Sequence, residues 1–404
     1  MSDLRESGFK HVTRVADARD QLREAATPVE RTDQVPLSSA AGRVLAATVV
    51  ADRNVPHYER AAMDGFAVRA EDTFGASDRS PSVLRGEDAD AVAPGSAVRV
   101  HTGSEIPDGA DAVVMVEQTE TVGDEVEVFD AVAEGENVAP AGEDVEDGQT
   151  LYEPGHRIRP SDLGLLKSVG VRQVPVYQRP TVGVVPTGEE LVQSDPEPGE
   201  VVETNGLTVS EYVERWGGNA TYRDVVTDDY EALRAAIQRD LTKDVIVTTG
   251  GSSVGERDLM PEVIEDLGEM LFHGVALKPG HPFGAGVVEE TPVLMLPGYP
   301  VACIVNAVQF LRPLLKHLGN APFDDHPATE ATLTSKVRSE PGTRTFARVS
   351  LDEGEEVTAT PTRTGGSGVL SSVALADGWV VVPEETEGIP AGETVAVQNW
   401  EYYP

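Results

Sequence analysis

A loop rich in glycine and serine could bind phosphate in the second half of the chain. It follows residues 245–249, a β-branched run typical of a buried parallel strand. Glycines at a strand end let the backbone turn sharply, and successive N–H groups with hydroxyls form an anion site. The loop residues are Gly250, Gly251, Ser252 and Ser253. An ordinary strand–helix turn has a similar composition, so the loop alone leaves both interpretations open.

Acidic residues near this loop indicate a cation. Asp258 closes the loop, and a carboxylate beside a bound phosphate requires a divalent ion between them. Polar residues also follow three other predicted strands: Thr187 with Glu190, then Asp228, then the segment 297–300. Because the carboxyl ends of parallel strands share one edge of a sheet, we expect these segments to form a phosphate- and metal-binding crevice.

From residue 181 onward, strand and helix patterns alternate, which predicts a doubly wound α/β domain. The predicted strands are 181–186, 221–226, 245–249, 272–277 and 293–296. The predicted helices are 205–216, 229–240, 261–267 and 301–318. The α/β domain is assigned to residues 179–325.

The rest of the chain is predicted to form other domains around this one. Short strands separated by turns predict an inserted β domain at 29–143 and a C-terminal β domain at 326–404. Two helices, 13–26 with Thr13 as its cap and 162–169 with Ser161 as its cap, predict a discontinuous N-terminal helical domain. That domain is assigned to residues 1–28 and 144–178.

The charge balance excludes nucleic acid and anionic membranes as partners. The 404 residues include 69 acidic and 32 basic ones, for a net charge of −37. Such an excess repels polyanions. The charge is dispersed and only six basic residues are Lys, so we expect a solvated surface suited to a salt-rich cytoplasm.

The remaining composition predicts a soluble, cytoplasmic protein. Cys303 is the single cysteine, so neither an intrachain disulfide nor a thiolate metal cluster is expected, and a core position is predicted for it. The N-terminal segment lacks the apolar core of a signal peptide, and no apolar run is long enough for a membrane span. His57, His101 and His273 lack metal-ligand spacing and are expected at the surface or in packing.

Several motifs together resemble the molybdopterin molybdenumtransferase family, to which the C-terminal region of gephyrin is related. The motifs, in chain order, are Ala62-Met63-Asp64-Gly65-Phe66-Ala67, His101-Thr102-Gly103 to Pro107, Gly109-Ala110-Asp111-Ala112-Val113-Val114, Gly135-Glu136-Asn137, Ala141-Gly142-Glu143-Asp144, Thr187-Gly188-Glu189-Glu190-Leu191, Thr249-Gly250-Gly251-Ser252-Ser253-Val254-Gly255, Lys278-Pro279-Gly280 and Leu296-Pro297-Gly298-Tyr299-Pro300. The resemblance covers nearly the whole chain.

This resemblance implies both an architecture and a reaction. Family members are elongated homodimers with a β-barrel-like last domain, and the crevice faces the partner's segment corresponding to 63–65. The implied reaction inserts molybdenum from molybdate into adenylylated molybdopterin, with Mg²⁺-dependent cleavage of the adenylate and release of AMP. Phosphoanhydride cleavage depends mainly on charge neutralisation and positioning, which agrees with an acidic crevice holding Mg²⁺.

The resemblance also assigns roles to residues. Asp228 and Asp258 are the expected metal ligands, with Glu190 and, across the dimer, Asp64 as further catalytic acids. The expected substrate-binding residues are Thr102, Thr187, Gly250, Gly251, Ser252, Ser253, Lys278, Pro297, Pro300 and Arg348. Four simpler roles stay open: Asp64 capping a turn, Asp228 capping the next helix, Glu190 as a solvated first-turn acid, and Thr102 as a structural residue.

Four positions depart from the family pattern. His281 stands where a second Lys is common, Ala302 where a Ser is common, Tyr299 where an Asn is common, and Gly274 where a basic residue is common. These changes predict weaker binding of the oxyanion in the pocket. Molybdate and tungstate have the same shape and charge, so the sequence does not distinguish between them. Two alternatives follow: a non-catalytic molybdopterin-binding scaffold dimer, or a molybdopterin adenylyltransferase. Such an adenylyltransferase and acceptor molybdoenzymes are the candidate protein partners.

Overall fold

The structure, a computed structural model, describes residues 12–250, 259–362 and 368–402. Within these ranges it contains three six-stranded sheets and several two-stranded ribbons. None of the helices described in these ranges has the length and apolar character that crossing a bilayer requires.

The α/β domain contains the sheet that positions the predicted crevice. Its strands lie in the spatial order Asn219–Tyr222, Thr181–Pro186, Val245–Thr249, Thr291–Leu296, Gly284–Val288 and Glu269–His273. The first four strands pair in parallel, and Gly284–Val288 pairs antiparallel with both of its neighbours. Its helices are Asn205–Arg215, Tyr230–Asp240, Met260–Leu267 and Pro300–Asn306, the last continuing through a π-helical turn, Ala307–Leu311, into Arg312–Leu318.

Three of these strands differ from the sequence-based prediction. The strand predicted at 221–226 spans Asn219–Tyr222. The predicted strand 272–277 is divided into Glu269–His273 and a short strand, Leu277–Lys278. The strand Gly284–Val288 is missing from the prediction because its glycines hide the strand pattern. Those glycines are required by packing, since a Cβ on Gly286 would lie 2.5 Å from the Ile264 side chain. The helix Met260–Leu267 therefore covers this strand at close range.

The strand order reverses beside Thr181–Pro186. The chain first adds Asn219–Tyr222 on one side of this strand and then Val245–Thr249 on the other. All residues of Val245–Thr249, and all of Thr181–Pro186 except Thr181, are buried, as expected for a parallel sheet covered on both faces. Such a reversal opens a crevice at the carboxyl ends of the strands, where ligands bind in open α/β sheets.

The N-terminal helix belongs to the core of the α/β domain. It spans Val15–Glu24, and its buried face joins the cluster that contains Leu314 and Leu318. The predicted cap at Thr13 is wrong, because the residue before the helix is Arg14 and Thr13 instead exchanges backbone hydrogen bonds with residues 274 and 276. The predicted grouping of residues 1–28 with 144–178 therefore does not match this packing.

The first domain, built from the segments 32–50 and 150–177, is mainly a set of paired strands around one helix. Thr32–Pro36 pairs with Gln173–Tyr177, and Val49–Val50 pairs with Thr150–Tyr152. The predicted boundaries place Thr32–Pro36 and Val49–Val50 in the inserted domain and their partner strands in the N-terminal domain. They therefore separate strands that the structure pairs. The inserted sheet itself contains Ala112–Met115, Gly65–Val68, Ser96–Val100, Ser82–Glu87, Glu125–Val128 and Thr119–Val122.

The helix of the first domain begins two residues earlier than predicted. It spans Pro160–Ser168, and Arg159 rather than Ser161 precedes it as the capping residue. Asp162 is 2% exposed and accepts hydrogen bonds from the Arg159 amide at 2.8 Å and from the Tyr152 hydroxyl at 3.1 Å. His156 Nε2 lies 2.6 Å from the same carboxylate. Burial opposes ionisation of Asp162, but these contacts outweigh it and lower its pKa.

Replacing Asp162 with Asn should destabilise the first domain by about 2 kcal/mol, because a charged acceptor shared by several donors is lost. Chemical denaturation at pH 7 would measure this, with the exposed Asp147→Asn as the matched control. A lowered folded-state pKa stabilises the protein above the unfolded value of about 3.9. The difference between wild type and D162N should therefore shrink as the pH falls below about 4. Equal stability of the two variants at pH 7 would contradict this assignment.

The C-terminal domain is a closed five-stranded barrel. Its strands are Arg344–Glu353, Val357–Pro361, Ala328–Leu333, Thr394–Gln398 and Gly378–Val382, and the first pairs with the last. The short strand Leu277–Lys278 of the α/β domain pairs in parallel with the barrel strand Arg344–Glu353. This pairing brings Lys278 against the barrel.

Candidate active site

Three loops meet at the carboxyl end of the central strands. The Thr187 amide donates to the Thr249 carbonyl at 3.0 Å, and the Gly250 amide donates to the Leu296 carbonyl at 3.0 Å. A Cβ on Gly298 would lie 3.4 Å from the Gly250 Cα atom. The structure thus joins Thr187, Gly250 and the loop 297–300, as the sequence predicted.

The Thr187 hydroxyl is the clearest binding feature of this crevice. The residue is 1% exposed, and its Oγ1 atom has no hydrogen-bond partner among the described residues. Buried hydroxyls are nearly always paired, because an unpaired one loses its hydration without compensation. The orientation and burial of this hydroxyl therefore favour a polar ligand beside it.

Gly250 matters for this crevice because it has no side chain, and not because its amide is available to a ligand. Its φ is +114°, and a Cβ would lie 2.2 Å from the Thr187 carbonyl oxygen. The amide is already used in the bond to Leu296, so the predicted role of this N–H in phosphate binding is not supported. The other predicted members of the loop, Gly251, Ser252, Ser253 and Asp258, lie outside the described residues.

The two described acids of the crevice lie on neighbouring loops. Glu190 is exposed, and a short strand, Leu191–Val192, follows it, so the alternative of a first-turn helical acid is wrong. Asp228 is half-buried and follows Val226, whose carbonyl accepts from the Gly188 amide at 3.1 Å. The helix cap is Asp229, whose carboxylate accepts from the Ala232 amide at 3.0 Å. The alternative role of Asp228 as that cap is therefore also wrong.

The donor set of the crevice fits Mg²⁺. Glu190 and Asp228 provide carboxylate oxygens and Thr187 a hydroxyl, which are hard ligands of the kind that Mg²⁺ prefers. No group of three or more His, Cys, Asp or Glu side chains in the described ranges could hold a metal by itself. Mg²⁺ commonly binds one or two carboxylates together with substrate phosphates, so a sparse carboxylate set is suitable.

A second cavity lies next to the crevice, between the α/β domain and the barrel. We call it the barrel cavity. Its volume is about 300 Å³, and its basic or titratable lining residues are Lys278, His281, Arg338 and Arg348. Pro297, Tyr299 and Ala302 also line it, so three of the four positions that depart from the family pattern face one space. The fourth, Gly274, has a φ of +96° that disfavours any side chain there.

The cations of the barrel cavity are held by specific contacts. Lys278 Nζ pairs with Glu340 at 2.7 Å, which ties the turn at 278–280 to the barrel. Arg348 is 5% exposed, and its guanidinium donates to Ser372 Oγ at 3.4 Å. Burial lowers the pKa of Arg348, but an arginine stays charged at neutral pH. Sequence reasoning did not find Arg338, which lines this cavity, or Ser372, which contacts Arg348, because only the folded C-terminal domain brings them near Arg348.

Two asparagines missed by sequence reasoning position the surrounding loops. Asn205 Nδ2 donates to the Gly298 carbonyl at 2.7 Å and thereby fixes the loop shared by the crevice and the barrel cavity. The buried Asn306 donates to the Gly280 carbonyl at 3.0 Å. Gly280 has a φ of +118°, and a Cβ there would lie 2.1 Å from the Asn306 amide nitrogen. Both asparagines were assigned only to helices from the sequence.

Asp64 and Thr102 lie together in the inserted domain. Asp64 Oδ1 accepts from the Thr102 amide at 2.6 Å and from the Thr102 hydroxyl at 2.9 Å. The bond from the backbone amide, followed by that from the hydroxyl, lowers the pKa of Asp64. No contact among the described residues joins this pair to the crevice of the same chain. Cys303 is buried, as predicted, and burial raises the pKa of its thiol.

Replacing His281 with Lys should strengthen molybdate binding about tenfold, since an oxyanion gains a charged donor. Burial, and then the nearby Lys278, lower the pKa of His281, so the imidazole is neutral at pH 7. It gains a proton only as the pH falls below the ordinary value of about 6.5. Wild-type affinity should therefore increase toward acidic pH, whereas H281K should bind tightly at pH 7. Calorimetric titration with molybdate would test this, with the exposed His57→Lys as the charge-matched control. An equal gain in both variants would contradict a local effect.

Comparison with known proteins identifies the family. Three family models match successive parts of the chain: the MoeA N-terminal region (domains I and II) at residues 13–170, a probable molybdopterin binding domain at 183–317, and the MoeA C-terminal region (domain IV) at 330–400. The chain belongs to the MoeA family. This membership places it among the proteins of molybdenum cofactor biosynthesis and among transferases.

Relatives of the MoeA family resemble the chain along almost its full length. A putative molybdopterin biosynthesis protein of Methanocaldococcus jannaschii is 36% identical over 94% of both chains. The molybdopterin molybdenumtransferase of Bacillus subtilis is 35% identical over 91% of this chain and 89% of its own. A solved molybdopterin biosynthesis MoeA protein from Pyrococcus horikoshii OT3 has 32% identity and a TM-score of 0.80 over 96% of this chain and all of its own.

Proposed function

We propose that this protein is a molybdopterin molybdenumtransferase that inserts molybdenum from molybdate into adenylylated molybdopterin and releases AMP. One observation carries the proposal: the loop 297–300 borders both the crevice and the barrel cavity. Gly298 contacts Gly250 in the crevice, while Pro297 and Tyr299 line the barrel cavity. A phosphoanhydride in the crevice and an oxyanion in the barrel cavity would therefore be neighbours, as a coupled cleavage and insertion requires.

The crevice residues are proposed to bind the phosphates. The Thr187 hydroxyl, with Ser252 and Ser253, would donate to phosphate oxygens, while Gly250 and Gly251 would leave room for close approach. Asp228 and Asp258 would hold Mg²⁺, which when bound neutralises phosphate charge and stabilises the leaving group. Glu190, at the mouth of the crevice, would act as a further acid.

The barrel cavity is proposed to bind molybdate. Lys278 and Arg348 would hold the dianion from opposite walls, one from the α/β domain and one from the barrel. Pro297 and Pro300 would shape the wall between the two ligands. Tungstate has the same shape and charge, so this cavity would accept both.

The inserted domain is proposed to complete the site across a homodimer. Asp64, whose position is fixed by Thr102, would approach the crevice of the partner subunit as a further catalytic acid. Met63 beside it is exposed. A molybdopterin adenylyltransferase would supply the substrate and acceptor molybdoenzymes would take the product, in a salt-rich cytoplasm.

A second function, a non-catalytic molybdopterin-binding scaffold, is favoured by one observation. Neutral His281 and apolar Ala302 both face the barrel cavity and reduce its charge and hydrogen-bonding capacity. The adenylyltransferase alternative has less support, because family matches cover the inserted domain and the barrel as well as the α/β domain.

AMP release from adenylylated molybdopterin, measured in high salt with Mg²⁺, would separate these functions. The transferase predicts release that molybdate stimulates and that Asp258→Asn abolishes. Tight binding without AMP release at any molybdate or tungstate concentration would leave the scaffold. Consumption of ATP with free molybdopterin would support the adenylyltransferase.

A further inference from the structure

A cavity with a basic lining lies between the first domain and the α/β domain. We call it the interdomain cavity. Its basic lining residues are Arg43, Arg157, Arg179, Arg215 and Lys316. Among its described lining residues, Glu214 is the one acid. This lining reverses the balance of a chain with 69 acidic and 32 basic residues, and it shares no residue with the lining of the barrel cavity.

Lys316 is the most unusual member of this lining. It is 7% exposed, and its ammonium makes no hydrogen bond to any residue in the described ranges. Burial, then Arg157 and Arg312, lower its pKa to about 8, so it is still charged at pH 7. A buried charge among like charges costs free energy unless an anion accompanies it. Asp324 is the nearby acid that opposes this effect, and it does not line the cavity.

The backbone holds Arg43 and Arg157 on facing segments of the first domain. The Ile158 amide donates to the Arg43 carbonyl at 2.9 Å, and the Gly42 amide donates to the Ile158 carbonyl at 2.8 Å. Arg43 Nη2 donates to the Tyr177 carbonyl at 3.0 Å, whereas its buried Nε atom has no partner among the described residues. Arg43 therefore lines the cavity with part of its guanidinium unpaired.

Carboxylates neutralise only part of this lining. Arg215 pairs with Glu401 at 2.5 Å, and this ion pair largely neutralises the charge of Arg215. Arg179 lies 4.0 Å from Glu214, at the limit of an ion pair, and Arg43 lies 3.5 Å from Asp33. The ammonium of Lys316 is paired with none of these carboxylates, and the ion pairs of Arg43 and Arg179 are long.

The size of the cavity restricts its ligand. Its volume is about 80 Å³. This is several times the ~10–15 Å³ that one water needs and about half of the ~150 Å³ that admits benzene. A compact anion fits, whereas a nucleotide or a pterin does not.

We propose that the interdomain cavity binds a tetrahedral oxyanion of the phosphate, sulfate and molybdate class. Lys316 and Arg179 would approach the anion from the α/β domain, and Arg43 from the first domain. Guanidinium forks and an ammonium are the groups that bind such oxyanions in proteins. Because its ligands come from two domains, the anion would join them. This site does not depend on the proposed catalytic function.

Thermal denaturation and calorimetric titration of the full chain at pH 7 and constant ionic strength would test the site. Phosphate, sulfate and molybdate should each raise the melting temperature relative to KCl, since a ligand of the folded state stabilises it. Lys316→Met should weaken phosphate binding about tenfold or more, since a desolvated charged partner is lost. The exposed Lys167→Met should bind phosphate as the wild type does.

A second variant keeps the test informative if K316M does not fold. Arg179→Gln changes a partly exposed side chain and should also weaken phosphate binding. Binding of molybdate alone would narrow the class to that substrate, while binding of phosphate or sulfate would support the general site. Stabilisation by KCl equal to that by the oxyanions, or unchanged phosphate affinity in both R179Q and K316M, would overturn the proposal.

Discussion

Replacing Asp228 with Asn should lower molybdate-dependent AMP release about 100-fold, because Asp228 is the proposed metal ligand and such a ligand contributes several kcal/mol of charge stabilisation. The physical basis is the position of Asp228 on the crevice edge, two residues after the backbone contact between Val226 and Gly188. Asn keeps the size of the side chain but removes its charge. The turnover number at saturating Mg²⁺ and substrate is the measurement.

The neighbouring acid provides a matched control for this change. Asp229 caps the helix Tyr230–Asp240, and Asn is an equally good capping residue. Asp229→Asn should therefore leave both AMP release and the melting temperature close to the wild-type values. If D229N lost as much activity as D228N, the loss would reflect the loop and not a metal ligand. A D228N enzyme with normal Mg²⁺ dependence would also contradict the assignment.

Replacing Gly250 with Ala should destabilise the α/β domain by about 2–4 kcal/mol, because strain and steric overlap act together. A φ of +114° is unfavourable for alanine, and its Cβ would lie 2.2 Å from the Thr187 carbonyl oxygen. That oxygen belongs to the backbone, so relief requires moving the end of the strand Thr181–Pro186. The Thr187 hydroxyl would move with it, and AMP release should fall as well.

Gly199→Ala separates the steric effect of G250A from simple backbone strain. Gly199 lies in the same domain with a φ of +105°, but a Cβ there would meet no atom within 4 Å. It should cost about 1–2 kcal/mol and leave AMP release unchanged. Thermal denaturation and AMP release of both variants provide the comparison. Equal losses in the two variants would show that contact with Thr187 is unimportant.

The crevice could be predicted from the sequence because its signals are local. The β-branched run at Val245–Thr249 and the glycine that follows it predict a strand and its turn without reference to other segments. Thr187 and the loop 297–300 follow similar runs, so a rule about parallel sheets was enough to bring them together. The exact cap of the next helix was not accessible in this way, since Asp228 and Asp229 are chemically equivalent neighbours.

The barrel cavity and the positioning asparagines depend on contacts between distant segments. Ser372 reaches Arg348 only after the barrel has closed, and Asn205 reaches Gly298 across 93 positions of the chain. The strand Gly284–Val288 was hidden because its glycines serve helix packing rather than strand propensity. The N-terminal helix showed its apolar face in the sequence, but no local signal specified which domain that face would cover.

The pairing of Leu277–Lys278 with Arg344–Glu353 has a consequence for how this molecule can be divided. Lys278 and Arg348 line the same cavity but belong to units that look separable in the sequence. A truncated chain ending before the barrel would keep Lys278 and lose Arg348. The proposed oxyanion site is thus shared by two modules, so transplanting the barrel alone between relatives would change one half of that site and leave the other half in place.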